Sequence, residues 1–228
     1  MKILAIESAA LSAGAAVLED GKLLSEQFLN CGLTHSQTLL PLVDGALSGA
    51  GKKIEDMDAV AVSAGPGSFT GVRIGMATAK GLALGAEKPV ICVPTLLALA
   101  YNVAYYDGFV VPIMDARRGE VYTASYYCQD GELQEIAPMR AMPLTALLAE
   151  LDTAMFVGDG VAVHRDKIKE EMGEWAQFAP AHLLYERAAS VAMAAESLKP
   201  VSPHVAEPFY LRLSQAEREY MEKNGEKA

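Results

Sequence analysis

The chain has 228 residues, 51% of them hydrophobic, with a formal net charge of −10 at pH 7. This length can bury the core of one or two domains, and the composition is not that of a disordered chain. The negative charge argues against a surface that grips nucleic acid, because phosphate contacts need clustered lysine and arginine.

The sequence shows no pattern typical of a membrane span or of a signal peptide. No apolar run approaches the ~18 residues that a membrane span needs, and the apolar stretch before Glu7 is too short for a signal peptide. Cys31, Cys92 and Cys128 are odd in number and form no CxxC motif. We therefore expect reduced thiols in a cytoplasm.

The first half of the chain predicts the order βββαβαβ. Residues 2–7, 13–18 and 22–29 are predicted strands, and the last two are joined by the hairpin signal Asp20-Gly21. Apolar residues at helical spacing predict a helix over residues 36–50. The remaining predicted elements are a strand at 59–63, a helix at 71–85 and a strand at 90–93.

The segment from Ser63 to Gly85 is the most distinctive. Gly71, Gly75 and Ala79 lie four residues apart, so they share one side of the predicted helix, and side chains this small allow another backbone to come close. The helix is otherwise almost entirely apolar, which predicts burial on more than one side, inside the fold or at a subunit interface.

The turn before this helix, Gly65-Pro66-Gly67, has two interpretations. The favoured one is a tight strand-to-helix connection; the other is an anion site made by backbone N–H groups at the helix N-terminus. The turn does not match the P-loop or the GxGxxG motif, and Ser68 does not lie in a GxSxG elbow.

The second half repeats the first in outline. Its predicted strand at 110–115 also ends in a carboxylate, and a hairpin over 120–137 turns at Asp130-Gly131. A helix at 144–151 and a strand at 155–157 entering a glycine turn follow. Two such units facing each other form a cleft, as in actin-like and sugar-kinase-like folds. A helix at 188–198 should pack back on the body, before an extended stretch and a charged tail.

Carboxylates mark the candidate cleft. Glu7 and Asp115 end the first strand of each unit, and Asp159 lies in the second glycine turn. These side chains could bind a metal-nucleotide complex or simply cap nearby amides, and the sequence leaves both interpretations open. Arg117-Arg118 could grip an anion or, as we favour, form salt bridges between the units. The four histidines are too far apart to give a helix a metal-binding pair.

Six motifs, running in order over nearly the whole chain, resemble the TsaB (YeaZ) family of bacterial tRNA threonylcarbamoyladenosine biosynthesis subunits. The glycine motif is highly specific and the others are moderately so. The motifs are Ile3-Leu4-Ala5-Ile6-Glu7-Ser8, His35-Ser36 with Leu39-Leu40-Pro41-Leu42, the run from Gly65 to Gly75, Ala79-Lys80-Gly81-Leu82-Ala83, the run from Asp115 to Tyr122, and Pro208-Phe209-Tyr210-Leu211-Arg212. The family usually has Asp-Thr-Ser near the N-terminus, where this chain has Glu7-Ser8-Ala9.

The resemblance implies an α/β, actin-like (ASKHA, RNase H-like) fold, a duplicated βββαβα arrangement with two lobes. The lobes would be residues 1–105 and 106–212, followed by a charged tail at 213–228. The implied role is a non-catalytic, cytoplasmic subunit that dimerises with TsaD and, with TsaE, supports threonylcarbamoyl transfer to the tRNA adenosine next to the anticodon. TsaD carries a metal-binding His-x-x-x-His motif, which this chain lacks.

The resemblance also implies where partners bind. The interface would be a bundle of the 36–50 and 71–85 helices, with a homodimer when TsaD is absent and no direct tRNA binding by this chain. Expected partner contacts are Leu39, Leu42, Val43, Ala46, Gly71, Arg73, Ile74, Gly75, Thr78 and Leu82. On this hypothesis Gly75→Leu loses the complex while the monomer survives.

We expect no catalytic residue, no metal and no cofactor, with ATP or ADP near the partner interface as the one exception considered. The candidate nucleotide cleft consists of Glu7, Ser8, Gly65, Gly67, Ser68, Asp115 and Asp159. Three alternatives stay open: a metallopeptidase, a nucleotide-dependent sugar or acid kinase, and a homodimeric scaffold that does not contact TsaD.

Overall fold

Two units of the same element order make up the chain in a computed structural model, which describes residues 1–212. The first unit contains β1 (Lys2–Glu7), β2 (Ala13–Glu19), β3 (Lys22–Leu29), α1 (His35–Gly49), β4 (Ala59–Gly65), α2 (Phe69–Gly85) and β5 (Val90–Pro94). A connecting helix, α3 (Thr95–Tyr101), leads to the second. That unit contains β6 (Gly108–Asp115), β7 (Glu120–Gln129), β8 (Glu132–Pro143), α4 (Leu144–Leu148), β9 (Ala154–Val157), α5 (Gly160–Met172) and β10 (Ala176–Phe178), and α6 (Ala188–Ala195) follows.

The two sheets have matching topology, which confirms the predicted duplication. Their strand orders are β3-β2-β1-β4-β5 and β10-β9-β6-β7-β8. In each sheet the first strand of the unit lies at the centre, antiparallel to the next strand and parallel to the fourth. Both predicted hairpins form, and Asp20 and Asp130 adopt the positive φ that tight hairpin turns require.

Three elements were not predicted, namely α3, α5 and β10. Helix α5 was not predicted because its sequence is rich in charged residues and only four of its residues are buried. Its apolar periodicity is therefore weak. Several predicted boundaries also differ by a few residues, those of β8 and α4 among them. Strand β8 continues to Pro143 because β7 pairs with it along its whole length, and α4 ends at Leu148 rather than at residue 151.

The last described elements return to the first lobe. Val191 and Ala192 of α6 share a buried cluster with Ile3 and Ala5 of β1. The chain after α6 then pairs Val201 with β5, and residues 200–212 form no helix. The assignment of residues 106–212 to the second lobe stays a prediction, and the segment from α6 onward packs on the first sheet. The predicted charged tail, 213–228, lies outside the described residues.

Two further expectations concern the cysteines and the membrane-spanning helices. Cys31, Cys92 and Cys128 form no disulfide with one another. Within residues 1–212, none of the helices combines the length and the apolar character that crossing a bilayer demands.

Helix α2 approaches the loop after β1 more closely than any side chain would allow. A Cβ atom at Gly71 would lie 2.2 Å from the Ser8 carbonyl oxygen, and one at Gly75 would lie 2.3 Å from Ser8 Oγ. The Ser8 hydroxyl donates a hydrogen bond to the Gly71 carbonyl at 2.9 Å. The small-residue side of α2 therefore packs inside this chain, and contact of Gly71 and Gly75 with a partner stays a prediction that this packing disfavours.

Gly75→Ala should destabilise the chain by ~1–3 kcal/mol through overpacking against Ser8, although alanine is the better helix former. The matched control is Gly81→Ala, where an added Cβ meets nothing within 4 Å. That change should stabilise the chain by about 0.5–1 kcal/mol through helix propensity alone. Urea unfolding of the variants measures both effects. Equal stability of the two variants would contradict the close contact, and a stable Gly75→Leu monomer is no longer expected.

Candidate functional site

Glu7 is the acidic residue at the end of β1. It is fully buried, and its carboxylate accepts hydrogen bonds from the Ala9 amide at 2.6 Å and from the Ser63 hydroxyl of β4. Burial raises the pKa of Glu7 to about 7, although these hydrogen bonds oppose the shift. Glu7 therefore carries a proton over much of the neutral range.

Asp115 and Asp159 meet at the corresponding place in the second lobe, because β6 and β9 are neighbouring parallel strands. The Asp115 amide donates to Asp159 Oδ1 at 3.2 Å, and His164 Nε2 lies 3.4 Å from Asp115 Oδ1. Burial raises the pKa of Asp159 to about 6, and the nearby charge of Asp115 adds to the increase.

Glu186 is a third buried acid that sequence reasoning missed. It lies just before α6 and is 1% exposed. The Ser12 hydroxyl is 3.0 Å from its backbone carbonyl and 3.2 Å from its Oε2, while Oε1 has no hydrogen-bond partner within residues 1–212. Burial raises its pKa well above the usual range, and the charges of Asp159 and Glu7 reinforce the shift. No sequence signal separates this residue from an ordinary surface glutamate.

Glu7, Asp159 and Glu186, here called the acidic triad, thus bring together groups from both lobes. No lysine or arginine within residues 1–212 hydrogen-bonds or ion-pairs with any of the three. In the same part of the chain, no group of three or more His, Cys, Asp or Glu side chains is arranged to hold a metal ion. The triad therefore has no side-chain cation of its own that could pair with a phosphate group.

The glycine turn is occupied by the chain itself, which supports its structural interpretation. The Ser68 amide donates to the Ala9 carbonyl at 2.6 Å, and a Cβ at Gly67 would lie 2.3 Å from the same oxygen. Gly65 is similarly close to the Phe209 carbonyl. The phosphate interpretation fails for the Ser68 amide, because this donor is already used.

The paired arginines do not form the expected salt bridges between lobes. Arg117 and Arg118 are exposed at a turn with positive φ values of 64° and 56°, and neither makes an ion pair within the described residues. Two other arginines form ion pairs with glutamates that are distant in the sequence. Arg187, next to α6, pairs with Glu26 of β3, and Arg212 pairs with Glu120 of β7.

Several residues expected to bind a partner are instead core residues of this chain. Leu39, Leu42, Val43 and Ala46 are all buried in the first lobe, where α1 packs against β2 and β3. Their helical spacing marked an apolar face correctly, but that face belongs to the fold. Contact of these four residues with a partner stays a prediction, which their burial in the first lobe disfavours.

Other members of the expected set remain accessible. Ile74, Thr78 and Leu82 are half-buried along α2. Arg73 is exposed, and its guanidinium carbon lies 3.7 Å from the Phe69 ring centroid while its Nε donates to Tyr210 Oη at 2.9 Å.

Sequence reasoning missed the exposed residues that adjoin these positions, although their apolar character was a signal. Because α1 and α2 pack against each other, their outer sides form one surface, which we call the helix face. The helix face consists of Leu33, Leu40 and Pro41 with Ala77, Gly81 and Leu84, next to the half-buried Ile74, Thr78 and Leu82.

Comparison with known proteins gives consistent matches along the chain. The family model described as TsaD, tRNA N6-adenosine threonylcarbamoyltransferase, matches residues 30–227. The TsaB tRNA threonylcarbamoyladenosine biosynthesis protein of Bacillus subtilis is 32% identical over 97% of this chain and 99% of its own length. The Escherichia coli TsaB protein is 44% identical over 128 residues, 55% of each chain.

Solved structures agree with the sequence matches. YeaZ from Pseudomonas aeruginosa superposes with a TM-score of 0.77 at 28% identity, covering 92% of this chain and 99% of that one. The ethanolamine utilization protein EutJ of Carboxydothermus hydrogenoformans, at 12% identity and a TM-score of 0.53, covers 85% and 90% and shares the fold alone. The predicted actin-like, two-lobed α/β fold is confirmed.

Glu7→Gln should flatten the pH dependence of stability. The folded-state pKa of Glu7 is about 7 against an ordinary value of 4.5, so the folded chain holds an extra proton between these values. The free energy of unfolding therefore falls as pH rises from about 4.5 to about 7, by ~3 kcal/mol for this group. Asp159 and Glu186 act in the same direction, so the quantity to measure is the difference between the unmodified chain and the variant.

Denaturant unfolding at several pH values from 4.5 to 8 supplies this measurement. The control is Glu170→Gln on the exposed side of α5, which should leave the slope unchanged. A Glu7→Gln chain as pH-dependent as the unmodified chain would show that Glu7 ionises normally.

Proposed function

The chain belongs to the TsaB (YeaZ) family of tRNA threonylcarbamoyladenosine biosynthesis proteins, and we propose that it acts there as a non-catalytic subunit that dimerises with TsaD. The observation that carries the proposal is the helix face, an exposed apolar surface on a chain whose sequence also matches the TsaD family model. With TsaE, the complex would support threonylcarbamoyl transfer to the tRNA adenosine next to the anticodon.

The chemistry of the helix face suits a protein partner. Leu33, Leu40 and Leu84 are 56%, 54% and 46% exposed, and burying a leucine side chain contributes about 1.5–3 kcal/mol. Ala77 and Gly81 are exposed one turn apart on the outer side of α2, and a Cβ at Gly81 would meet nothing within 4 Å in the described chain. A partner helix can therefore approach the α2 backbone closely there. Without TsaD, a second copy of this chain can bury the same surface, which gives a homodimer.

The acidic triad supports the non-catalytic role. No lysine or arginine of the described chain pairs with any of its three carboxyl groups, so the site supplies no cation of its own to the phosphates of a nucleotide. The kinase alternative is disfavoured for this reason. The wide spacing of the four histidines in the sequence likewise disfavours the metallopeptidase alternative.

The net charge of the chain supports the proposal that tRNA binds elsewhere in the complex. A net charge of −10 repels the phosphate backbone, so we propose that the partner subunits hold the tRNA. The free thiols fit a role in the cytoplasm.

The isolated chain should bind neither Mg-ATP nor Mg-ADP at millimolar concentration, because the triad supplies no positive charge to the phosphates. Isothermal titration calorimetry at pH 7.5 measures this directly. Saturable heat that disappears in Asp159→Asn would revive the nucleotide-dependent alternative and place the nucleotide in the cleft.

Leu40→Glu and Leu84→Glu should each weaken the complex with the cognate TsaD at least about tenfold, because each places an unpaired charge in a buried apolar interface. The chain alone should stay folded, since both positions are solvent-exposed. Size-exclusion chromatography with light scattering, of each variant alone and mixed with TsaD, measures association. The unmodified chain should form a homodimer alone and a heterodimer with TsaD.

The matched control is Ile136→Glu, which alters an equally exposed apolar residue (52%) on β8 of the other lobe. This variant should bind TsaD normally. The docking proposal would be overturned by unimpaired association of both helix-face variants, or by loss of association in the Ile136→Glu control.

A further inference from the structure

A cavity on the second lobe, remote from the helix face, has the character of a binding site. Its volume is about 600 Å³, which lies within the ~300–1,000 Å³ typical of ligand sites. It opens between α4, α5 and the turn after α5, and its wall includes Trp175, the only tryptophan of the chain. The indole is 68% exposed, although tryptophan is highly buried on average.

The lining separates into an apolar floor and an acidic rim. Leu148 and Met172 are buried at the base, and Leu151 is half-buried beside them. Asp152 and Glu171 are exposed at the edge, and no lysine or arginine within residues 1–212 forms an ion pair with either. The cavity therefore offers aliphatic contact below and uncompensated negative charge above.

Trp175 differs from several other aromatic rings of the described chain, which have an arginine side chain over the ring. Five other rings lie beneath cations of the described chain: Arg73 lies over Phe69 and Tyr210, Arg165 over Phe178, Arg187 over Phe28 and Arg212 over Tyr122. Tryptophan is the best partner for such contacts, yet none of the described lysines or arginines covers the Trp175 ring. The position over the indole is open to an external cation.

We propose that this cavity binds an arginine side chain from a basic segment of a partner protein. The methylene stem packs on Leu148 and Met172. The planar guanidinium stacks on the Trp175 indole and presents its fork of N–H donors to Asp152 and Glu171. Arginine suits the site better than lysine, since a compact ammonium cannot stack on a ring and bind a carboxylate in bidentate fashion.

The turn that carries Trp175 is held in place before any ligand binds. The Thr153 hydroxyl donates to the Trp175 carbonyl at 3.1 Å, and Gly173, with φ of 57°, ends α5 and starts the turn. Because the site lies on the other lobe from α1 and α2, its occupant and TsaD can bind together. This inference does not depend on the proposed docking at the helix face.

Because Trp175 is the only tryptophan, its fluorescence reports on this cavity alone. The full chain is titrated with acetyl-glycyl-arginyl-glycine amide and with the same peptide carrying citrulline, the neutral isostere of arginine. We expect a saturable change in emission with arginine, and at least about tenfold weaker binding of citrulline, from the lost cation–π and ionic contacts. Added salt should weaken only the arginine response.

The combined substitution Asp152→Asn with Glu171→Gln should weaken arginine binding at least about tenfold while keeping the fluorophore. The control Glu174→Gln removes an exposed charge beside Trp175 that does not line the cavity, and should bind normally. Circular dichroism confirms that each variant is folded. Equal responses to arginine and citrulline, an unaffected double variant, or no saturable change with millimolar peptide would each overturn the proposal.

Discussion

The close approach of α2 to the loop after β1 is the contact on which the rest of the first lobe depends. Glycine at 71 and 75 allows the helix backbone to lie against Ser8, and the Ser68 amide then binds the Ala9 carbonyl. These contacts fix the loop that leaves β1, so Glu7 stays buried at the end of the strand. They also fix the rotation of α2 about its axis, because one side must face Ser8. The opposite side, with Ala77 and Gly81, is thereby turned to solvent.

Residues of both lobes contribute to the acidic triad. Glu7 lies at the end of β1 in the first lobe, Asp159 lies in the turn after β9 in the second, and Glu186 lies just before α6, which packs on the first sheet. Burial of Glu7 and Glu186 is unfavourable for their charged forms, which raises the pKa of both carboxyl groups. Hydrogen bonds from Ser12 and Ser63 satisfy part of the polar surface, and the pairing of Arg187 with Glu26 holds the approach to α6 against β3.

Much of the fold could be predicted from local patterns, and the site much less so. Asp20-Gly21 and Asp130-Gly131 identified both hairpins because tight turns demand a particular backbone conformation. Helix α3 was missed because it is short and follows β5 directly, where its apolar residues resemble a continuing strand. Glu7, Asp115 and Asp159 were found from their positions at strand ends. Glu186 could not be, since its burial depends on how α6 packs over the distant first sheet. Leu39 and Leu42 show a limit of the apolar pattern, because an apolar helix face does not reveal whether the chain itself or a partner covers it.

The asymmetry between equivalent helices supports our proposal that the docking surface lies on the first lobe. Helices α2 and α5 occupy the same place in the repeated order, each following the fourth strand of its unit. The outer side of α5 carries Arg165, Asp166, Lys167, Lys169, Glu170 and Glu171, all exposed, and burying them against a protein would require a charged partner for each. The outer side of α2 has only Arg73 as an exposed charge, beside alanine, glycine and leucine, so its desolvation costs little. Two copies of one structural unit have thus diverged so that a broad apolar contact is favourable on one lobe. On the other lobe, contact is favourable only where a cation meets the acids beside Trp175.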